Sequence, residues 1–177
     1  MKFEDVKKKL DEFAVFTIAN AKKNLQKKGK GDGELAESLS YVKDVEKDAF
    51  IVSFLMEDYG KFVDKGVKGA NPSLVKNGRQ KAPNSPFSYK QKMPPMEPLS
   101  LWAKSKNIRF RDEKGRFARG NYRTIGFWLQ KRIFAQGLEA TMFFDQAFSS
   151  ALRKYADELL DAYALDVEDE IILGIKK

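Results

Sequence analysis

Apolar residues near the start of the chain recur in steps of three and four. Phe3, Val6, Leu10, Phe13, Thr17, Ala21 and Asn24 follow that rhythm, and Phe16, Ile18 and Leu25 widen the stripe. Lys, Asp and Glu fill the opposite face, so the spacing predicts an amphipathic helix over 3–28. Gly29-Lys30-Gly31-Asp32-Gly33 ends it, because so many glycines cannot hold a helix. Residues 34–39 read either as a brief helical turn or as the approach to a strand. From 39 to 46 the period shortens to two, with Leu39, Tyr41 and Val45 on one face. Glu46-Lys47-Asp48 predicts a turn. The run Ala49-Phe50-Ile51-Val52-Ser53-Phe54-Leu55-Met56 is β-branched, aromatic and almost continuous, as a buried strand should be. Together these segments predict a β-hairpin.

Glu57-Asp58-Tyr59-Gly60-Lys61-Phe62-Val63-Asp64-Lys65-Gly66 follows the hairpin. Tyr59, Phe62 and Val63 would put one face of a short helical turn onto a sheet, and Gly66 would stop the turn. This face is a candidate subunit contact, or the ordinary packing of a turn on the hairpin. Residues 66–98 then hold all six prolines and several turn formers. An ordinary connection is about 4–6 residues long. Phe87, Tyr89, Met93 and Met96 have no role in a solvated linker, so the segment predicts an arm that docks on something. These four residues join Tyr59, Phe62 and Val63 as the candidate subunit interface.

Leu99–Lys106 predicts a short helix entered after Pro98. Residues 107–120 form a basic loop. Helical spacing returns over 122–136 at Ile125, Trp128 or Leu129, Arg132 or Ile133, and Gln136, with Gly137 as the stop. Asp145 to about Leu165 predicts a last helix with Phe148, Leu152, Tyr155, Leu159 and Tyr163 on one stripe. The apolar tail 170–175 reads as a final helical turn or a strand. Trp102 and Trp128 fall at apolar helical positions, as core or interface anchors. The expected fold class is α+β: a small antiparallel sheet packed by a long N-terminal helix and C-terminal helices, with a long extended arm at about 66–98.

Composition narrows the function. A length of 177 residues suggests one domain spanning 1–177. Aromatics at 12% point to a folded body. With no Cys and no His, thiolate zinc sites, thiol nucleophiles and Ser-His-Asp triads are excluded. The N-terminus lacks the apolar region of a signal peptide, and no run approaches the ~20 apolar residues that span a bilayer. A soluble protein made in a reducing cytosol, without a membrane partner, is expected.

Charge is segregated. Residues 61–132 carry 18 Lys and Arg against 4 Asp and Glu, a net +14, while 31–60 are net −6 and 133–177 net −5. Within the basic block, Arg109, Arg111, Lys114, Arg116, Arg119 and Arg123 are interleaved with Phe110 and Phe117. Such a segment lines a DNA channel or grips phosphates without reading sequence, or it is a loop that pairs with acidic neighbours. Asp166, Glu168, Asp169 and Glu170 lack the spacing of a calcium loop and read as an acidic helix end. Glu57 and Asp58 have no partner for acid–base chemistry. Gly60-Lys61 is followed by Phe62, where a phosphate loop needs a hydroxyl. Neither an enzyme nor a cofactor is expected.

The order of these motifs resembles the phage tail-completion or neck family, which includes lambda-type minor tail protein Z and Mu-type virion morphogenesis proteins. The likeness rests on the glycine-terminated first helix leading to Gly33-Glu34-Leu35-Ala36-Glu37-Ser38-Leu39, and on the hairpin that follows. It rests also on Tyr59-Gly60-Lys61-Phe62-Val63-Asp64-Lys65-Gly66, similar to the family's "Tyr-x-x-Phe/Tyr-Val-Glu-x-Gly" signature. Finally, Trp102-Ala103-Lys104-Ser105-Lys106-Asn107-Ile108 precedes a helix ending Ile133-Phe134-Ala135-Gln136-Gly137-Leu138. Many members reach a "Pro-Phe-Leu-x-Pro-Ala" segment soon after the signature glycine, whereas here Pro86-Phe87 is followed by Ser88 and a longer insertion. The resemblance implies a non-enzymatic virion component in a homo-oligomeric ring at the head–tail junction or tail end. Its partners would be other neck, portal, connector or tail proteins, with non-specific contact to DNA in the channel. A basic nucleic-acid-binding module is the alternative that the charge pattern leaves open.

Overall fold

The computed structural model describes residues 3–31, 33–45, 49–71, 73, 79–111, 113–117 and 121–175. In chain order the elements are α1 (Glu4–Lys27), α2 (Glu34–Ser38), β1 (Ser40–Val45), β2 (Phe50–Leu55), α3 (Gly60–Lys65), β3 (Val67–Lys68), α4 (Met96–Ser105), α5 (Tyr122–Gln136), β4 (Gly137–Leu138) and α6 (Phe143–Ile175). The class is α+β, helix-rich, with small antiparallel sheets. Where length suggested one domain, the contacts gather into two compact units. One comprises Met1–Gly60 with Thr141–Lys177, and the other is Lys61–Ala140.

The first unit is built on an antiparallel pair, α1 against α6. Near the end of α1, Asn24 Nδ2 donates to the Phe143 carbonyl at 3.0 Å, at the start of α6. Farther back, Lys9 meets Glu158 at 2.8 Å. At the start of α1 the Val6 N–H donates to Asp166 Oδ2 at 3.0 Å. That carboxylate satisfies one of the amides that a helix start leaves open, at the positive end of the helix dipole. The buried residues of α1 are Val6, Phe13, Ala14, Thr17, Ala21 and Leu25. They face Phe143, Ala147, Ala151, Tyr155 and Ala162 of α6, which are also buried. Alanines at a helix crossing let ridges settle into grooves. The buried Thr17 hydroxyl donates to the Phe13 carbonyl at 2.8 Å, so it carries no desolvation debt.

The stripe expected on α6 is therefore corrected. Tyr155 is buried and Leu159 packs half-buried against the core as expected, but Leu152 and Tyr163 are exposed and Phe148 sits at the edge. Two stripes one position apart both satisfy helical periodicity. The alanine stripe takes the core because only it lets α1 approach. Residues 170–175, open between a helical turn and a strand, continue α6.

The hairpin forms as expected, in antiparallel register from Ser40 against Leu55 to Val45 against Phe50. The expected turn at 46–48 lies outside the described residues. The β2 strand alternates rather than being buried throughout: Phe50, Val52 and Phe54 are half-buried, and Ile51, Ser53 and Leu55 are exposed. A sheet of two strands with one covered face cannot bury both sides. Phe54 meets Phe13, Phe144 and Phe148 at centroid distances of 6.2, 5.3 and 6.2 Å. Lys43 and Tyr41 tie β1 to α1 by reaching Asp11 at 2.6 and 3.2 Å.

In the second unit, Gly66 stops α3 at φ 70. A Cβ there would lie 2.6 Å from the Leu138 carbonyl oxygen and 2.7 Å from the Ala140 nitrogen, so glycine is required. Next, β3 pairs antiparallel with β4. The expectation of an extended arm at 66–98 is corrected here. The described part of that segment wraps the small sheet of its own unit. Lys68 N donates to the Phe87 carbonyl at 2.8 Å, and Tyr89 N donates to the Lys68 carbonyl at 2.9 Å. Gln80 Nε2 reaches the Gly69 carbonyl, and Ser85 Oγ the Gly66 carbonyl, both at 2.8 Å. Main-chain polar groups near a core need partners, and this segment finds them locally.

Helices α4 and α5 pack on each other through buried Ala103, Ile125 and Gly126. Pro98 falls in the first turn of α4, where a missing N–H costs nothing. Asn121 caps α5, its Oδ1 accepting from Thr124 N at 2.9 Å. Of the alternatives open on α5, the inward ones are Leu129 and Ile133, both half-buried, while Trp128 and Arg132 turn outward.

Candidate functional site

The turn carrying Tyr59, Phe62 and Val63 does not lay those side chains on a sheet. Its buried positions are Gly60 and Asp64, while Tyr59 and Phe62 are exposed and Val63 is half-buried. Gly60 comes so close to Leu35 and Met56 that a side chain there would collide, and this sets which face turns inward. Tyr59 lies in the first unit. Its hydroxyl is pushed above the usual tyrosine range by partial burial, then by the Glu34 and Glu57 carboxylates.

The remaining interface candidates lie in the second unit. Phe62 meets Phe87 edge-on at 4.7 Å. Tyr89 lies 6.1 Å from Phe134, and burial pushes its hydroxyl up as well. Both pairs contribute to the packing of their own unit. Met93 is exposed. Met96 is half-buried in an open groove of about 610 Å³, lined also by Asn121, Arg123, Thr124, Phe127 and Gln130.

The basic loop is organised around an aromatic ring. Arg111 and Phe117 pair across a turn, with Arg111 Nη1 donating to the Gly115 carbonyl at 3.0 Å. The guanidinium carbons of Arg109 and Arg111 lie 5.8 and 4.8 Å from the centre of the Phe117 ring. That ring is 62% exposed. Asn107 Oδ1 accepts from Arg109 Nε and from the Tyr122 hydroxyl, both at 3.1 Å, which joins the loop to the first turn of α5. Phe110 meets Trp128 edge-on at 5.8 Å. Lys114 and Arg116 are exposed, Arg123 stands on α5 at the groove, and Arg119 lies outside the described residues.

The loop thereby adjoins a surface of which sequence reading singled out Arg123 and Trp128 but not the face they share. The outward face of α5 carries Arg123, Phe127, Trp128, Lys131 and Arg132, all exposed. Lys131 Nζ lies 4.5 Å from the Phe127 ring centre, and the Arg132 guanidinium 5.0 Å from Trp128. Cations held on rings in this way keep their charge outward and cover apolar surface with their stems. The signal was present in the sequence: no Asp or Glu occurs between Lys114 and Leu138. The whole unit carries 18 Lys and Arg against 5 Asp and Glu, a net +13, whereas the first unit is net −5.

The acidic candidates are placed differently. Asp166 caps α1 and Glu168 is exposed, while the side chains of Asp169 and Glu170 lie outside the described set. Glu57 and Asp58 are exposed, and the Glu57 N–H donates to Ser38 Oγ at 3.1 Å. Among the described residues no group of His, Cys, Asp or Glu is placed to hold a metal ion. No helix among them is long and apolar enough to cross a membrane. Comparison with protein-family models, curated proteins and solved structures gives no match.

Proposed function

We propose that this chain is a structural subunit of a bacteriophage virion that assembles into a homo-oligomeric ring at the head–tail junction, as a neck, connector or tail-completion protein. The observation that carries the reading is the amount of apolar surface left uncovered on folded helices. In the second unit Leu101, Trp102, Phe127 and Trp128 are exposed, and in the first Leu152, Leu160, Tyr163 and Leu165. Large apolar groups gathered on exposed helix faces are the kind of surface that another protein covers, which supports the reading. The hairpin adds to this, since a two-stranded sheet with Val42, Ile51 and Leu55 exposed is weak by itself. The order of sequence motifs supports the family assignment.

In this reading the chain works by assembly, without catalysis or a cofactor. Ring closure covers the apolar helix faces. The loop bearing Arg109, Arg111, Lys114 and Arg116 borders passing DNA or meets an acidic neighbouring protein, because phosphate contacts ask only for charge. The test is cryo-electron microscopy of the particle that carries this chain, or of the chain mixed with the products of neighbouring genes. A ring at the junction is expected. Failure to enter any particle, together with salt-sensitive DNA binding, would overturn the proposal.

The arrangement of Arg109 and Arg111 about an exposed Phe117 favours a second reading, a nucleic-acid-binding module, because stacking rings beside cations suit single strands. Its signature is a log–log salt slope equivalent to several phosphate contacts.

A further inference from the structure

Two exposed helix faces of this chain match each other in both charge and apolar character. The first is the outward face of α5, where Phe127 and Trp128 sit among Arg123, Lys131 and Arg132. No carboxylate interrupts it. The open groove of about 610 Å³ between Met96, Phe127 and Gln130 lies along the same face.

The second is the outward face of the C-terminal half of α6. The core takes Ala151, Tyr155 and Ala162 on one side of that helix. Turning away from that side, Leu152, Leu160 and Tyr163 form an exposed stripe, with Leu160 at 67% exposure. Tyr163 keeps its ring stacked on Phe3 at 5.9 Å, which holds it in place. Asp157, Asp161 and Glu168 stand beside that stripe, all exposed, at the spacing that puts residues on one helix face. Arg153 lies one turn before Asp157 and is the cation on this face, whereas Lys154 is turned back over Phe16 at 4.5 Å.

We propose that the outward face of α5 in one copy of this chain docks on the outward face of α6 in a second copy, head to tail. The proposal rests on the ring reading above and names its contact. Lys131 and Arg132 meet Asp157 and Asp161, and Leu160 enters the groove beside Phe127. Apolar anchors at the centre supply affinity, and the charges around them set register and speed encounter. Because the two faces differ, every copy presents one of each, and such a contact propagates from copy to copy, closing into a ring where the rotation between copies allows. A nucleic acid would satisfy the basic face, but it would leave the acidic and apolar face of α6 unexplained. A second copy accounts for both.

The test uses analytical ultracentrifugation of the full chain at low and high salt. Two variants are compared with the unaltered protein: Lys131→Glu with Arg132→Glu, and Asp157→Lys with Asp161→Lys. All four positions are exposed, and unchanged circular dichroism would show that the fold survives. The unaltered chain is expected to form reversible species larger than its 20.2 kDa mass, fewer at high salt. Each variant alone should associate roughly tenfold more weakly or worse, because like charges then face each other. Mixed in equal amounts, the two variants should associate again, since the unaltered face of each fits the other and the two reversed faces are also opposite in charge. Leu160→Ser should weaken association at high salt too, where charge is screened.

Variants that associate like the unaltered chain, or a mixture that stays monomeric, would overturn the contact. So would a loss confined to binding a single-stranded oligonucleotide, which would assign the α5 face to nucleic acid. Rings on the particle that tolerate both variants would sink this contact and leave the ring reading standing. Restored association of the mixed variants in solution with no ring on any particle would keep the contact and remove the ring.

Discussion

Phe13→Ala is the sharpest test of how the first unit holds together. Phe13 is 6% exposed, in a cluster with Ala151 and Tyr155. Its ring meets Phe54, Phe148 and Tyr155 at 6.2, 5.7 and 6.4 Å, each edge-to-face. It therefore joins α1 to both β2 and α6. Removing a buried ring costs about 3–5 kcal/mol, combining lost transfer energy with the cavity left behind. The ring contacts, worth about 0.5–1.5 kcal/mol each in isolation, are largely contained in that range. The rigid backbones of the two helices limit collapse around the hole, so about 4 kcal/mol is expected. For a unit of this size 1 kcal/mol moves Tm by about 4–8 °C, so the shift should exceed ~15 °C. The readout is far-ultraviolet circular dichroism in a thermal or urea titration, because α1 and α6 dominate the helical signal. Tryptophan fluorescence reports on the other unit, where both Trp102 and Trp128 lie. A loss below about 1 kcal/mol would show that Phe13 does not sit in a tight cluster, and the packing of α1 against α6 described above would be wrong.

Other consequences follow from single positions. Ala151→Leu should destabilise the first unit by about 1–3 kcal/mol through overpacking. Leu152→Ala, one residue away, should stay within about 0.5 kcal/mol, and equal effects in urea titration would refute the alanine stripe. Gly66→Ala should cost the second unit about 1–3 kcal/mol, because φ is positive there and the added methyl meets the Leu138 carbonyl; tryptophan-monitored unfolding reads it. The Lys9 hydrogen bond holds the Glu158 carboxyl below the usual glutamate range. That contribution is fully present above the unfolded pKa and is lost as pH falls through the depressed folded one. Glu158→Gln should therefore lower stability slightly at neutral pH and leave the acid end, where the contribution is already lost, nearly unchanged, so that the acid limb is flatter; an unaltered acid limb would dismiss the pair.

Much of the secondary structure was legible locally. The first helix was marked by a clean stripe and a glycine stop, and the α3 stop by Gly66. The hairpin followed from alternation at Tyr41 and from the aromatic β2 run, whereas its register of Ser40 against Leu55 came from the structure. The face of α6 was less legible, because Phe148, Leu152, Tyr155, Leu159 and Tyr163 satisfy helical spacing as well as Ala147, Ala151, Tyr155 and Ala162 do. Hydrophobic size favours the first stripe, and only the approach of α1 selects the second. The segment 66–98 misled for a related reason. Its prolines removed helix and strand patterning, so its return along β3 depended on partners at Lys68 and Gly69 that no local pattern announces. The basic loop was visible in the charge run, but its union with α5 through Phe110 and Trp128 was not.

The sequence by itself determined the α+β class, most element boundaries, the exclusion of cysteine and histidine chemistry, and the separation of basic from acidic stretches. These depend on residue type and short-range periodicity, which the chain carries position by position. Tertiary structure decided which of two competing helix faces is buried, where the proline-rich segment docks, and which aromatic rings the cations cover. Those outcomes depend on distances between residues far apart in the chain, and they leave Lys131 and Arg132 of α5 and Asp157 and Asp161 of α6 exposed.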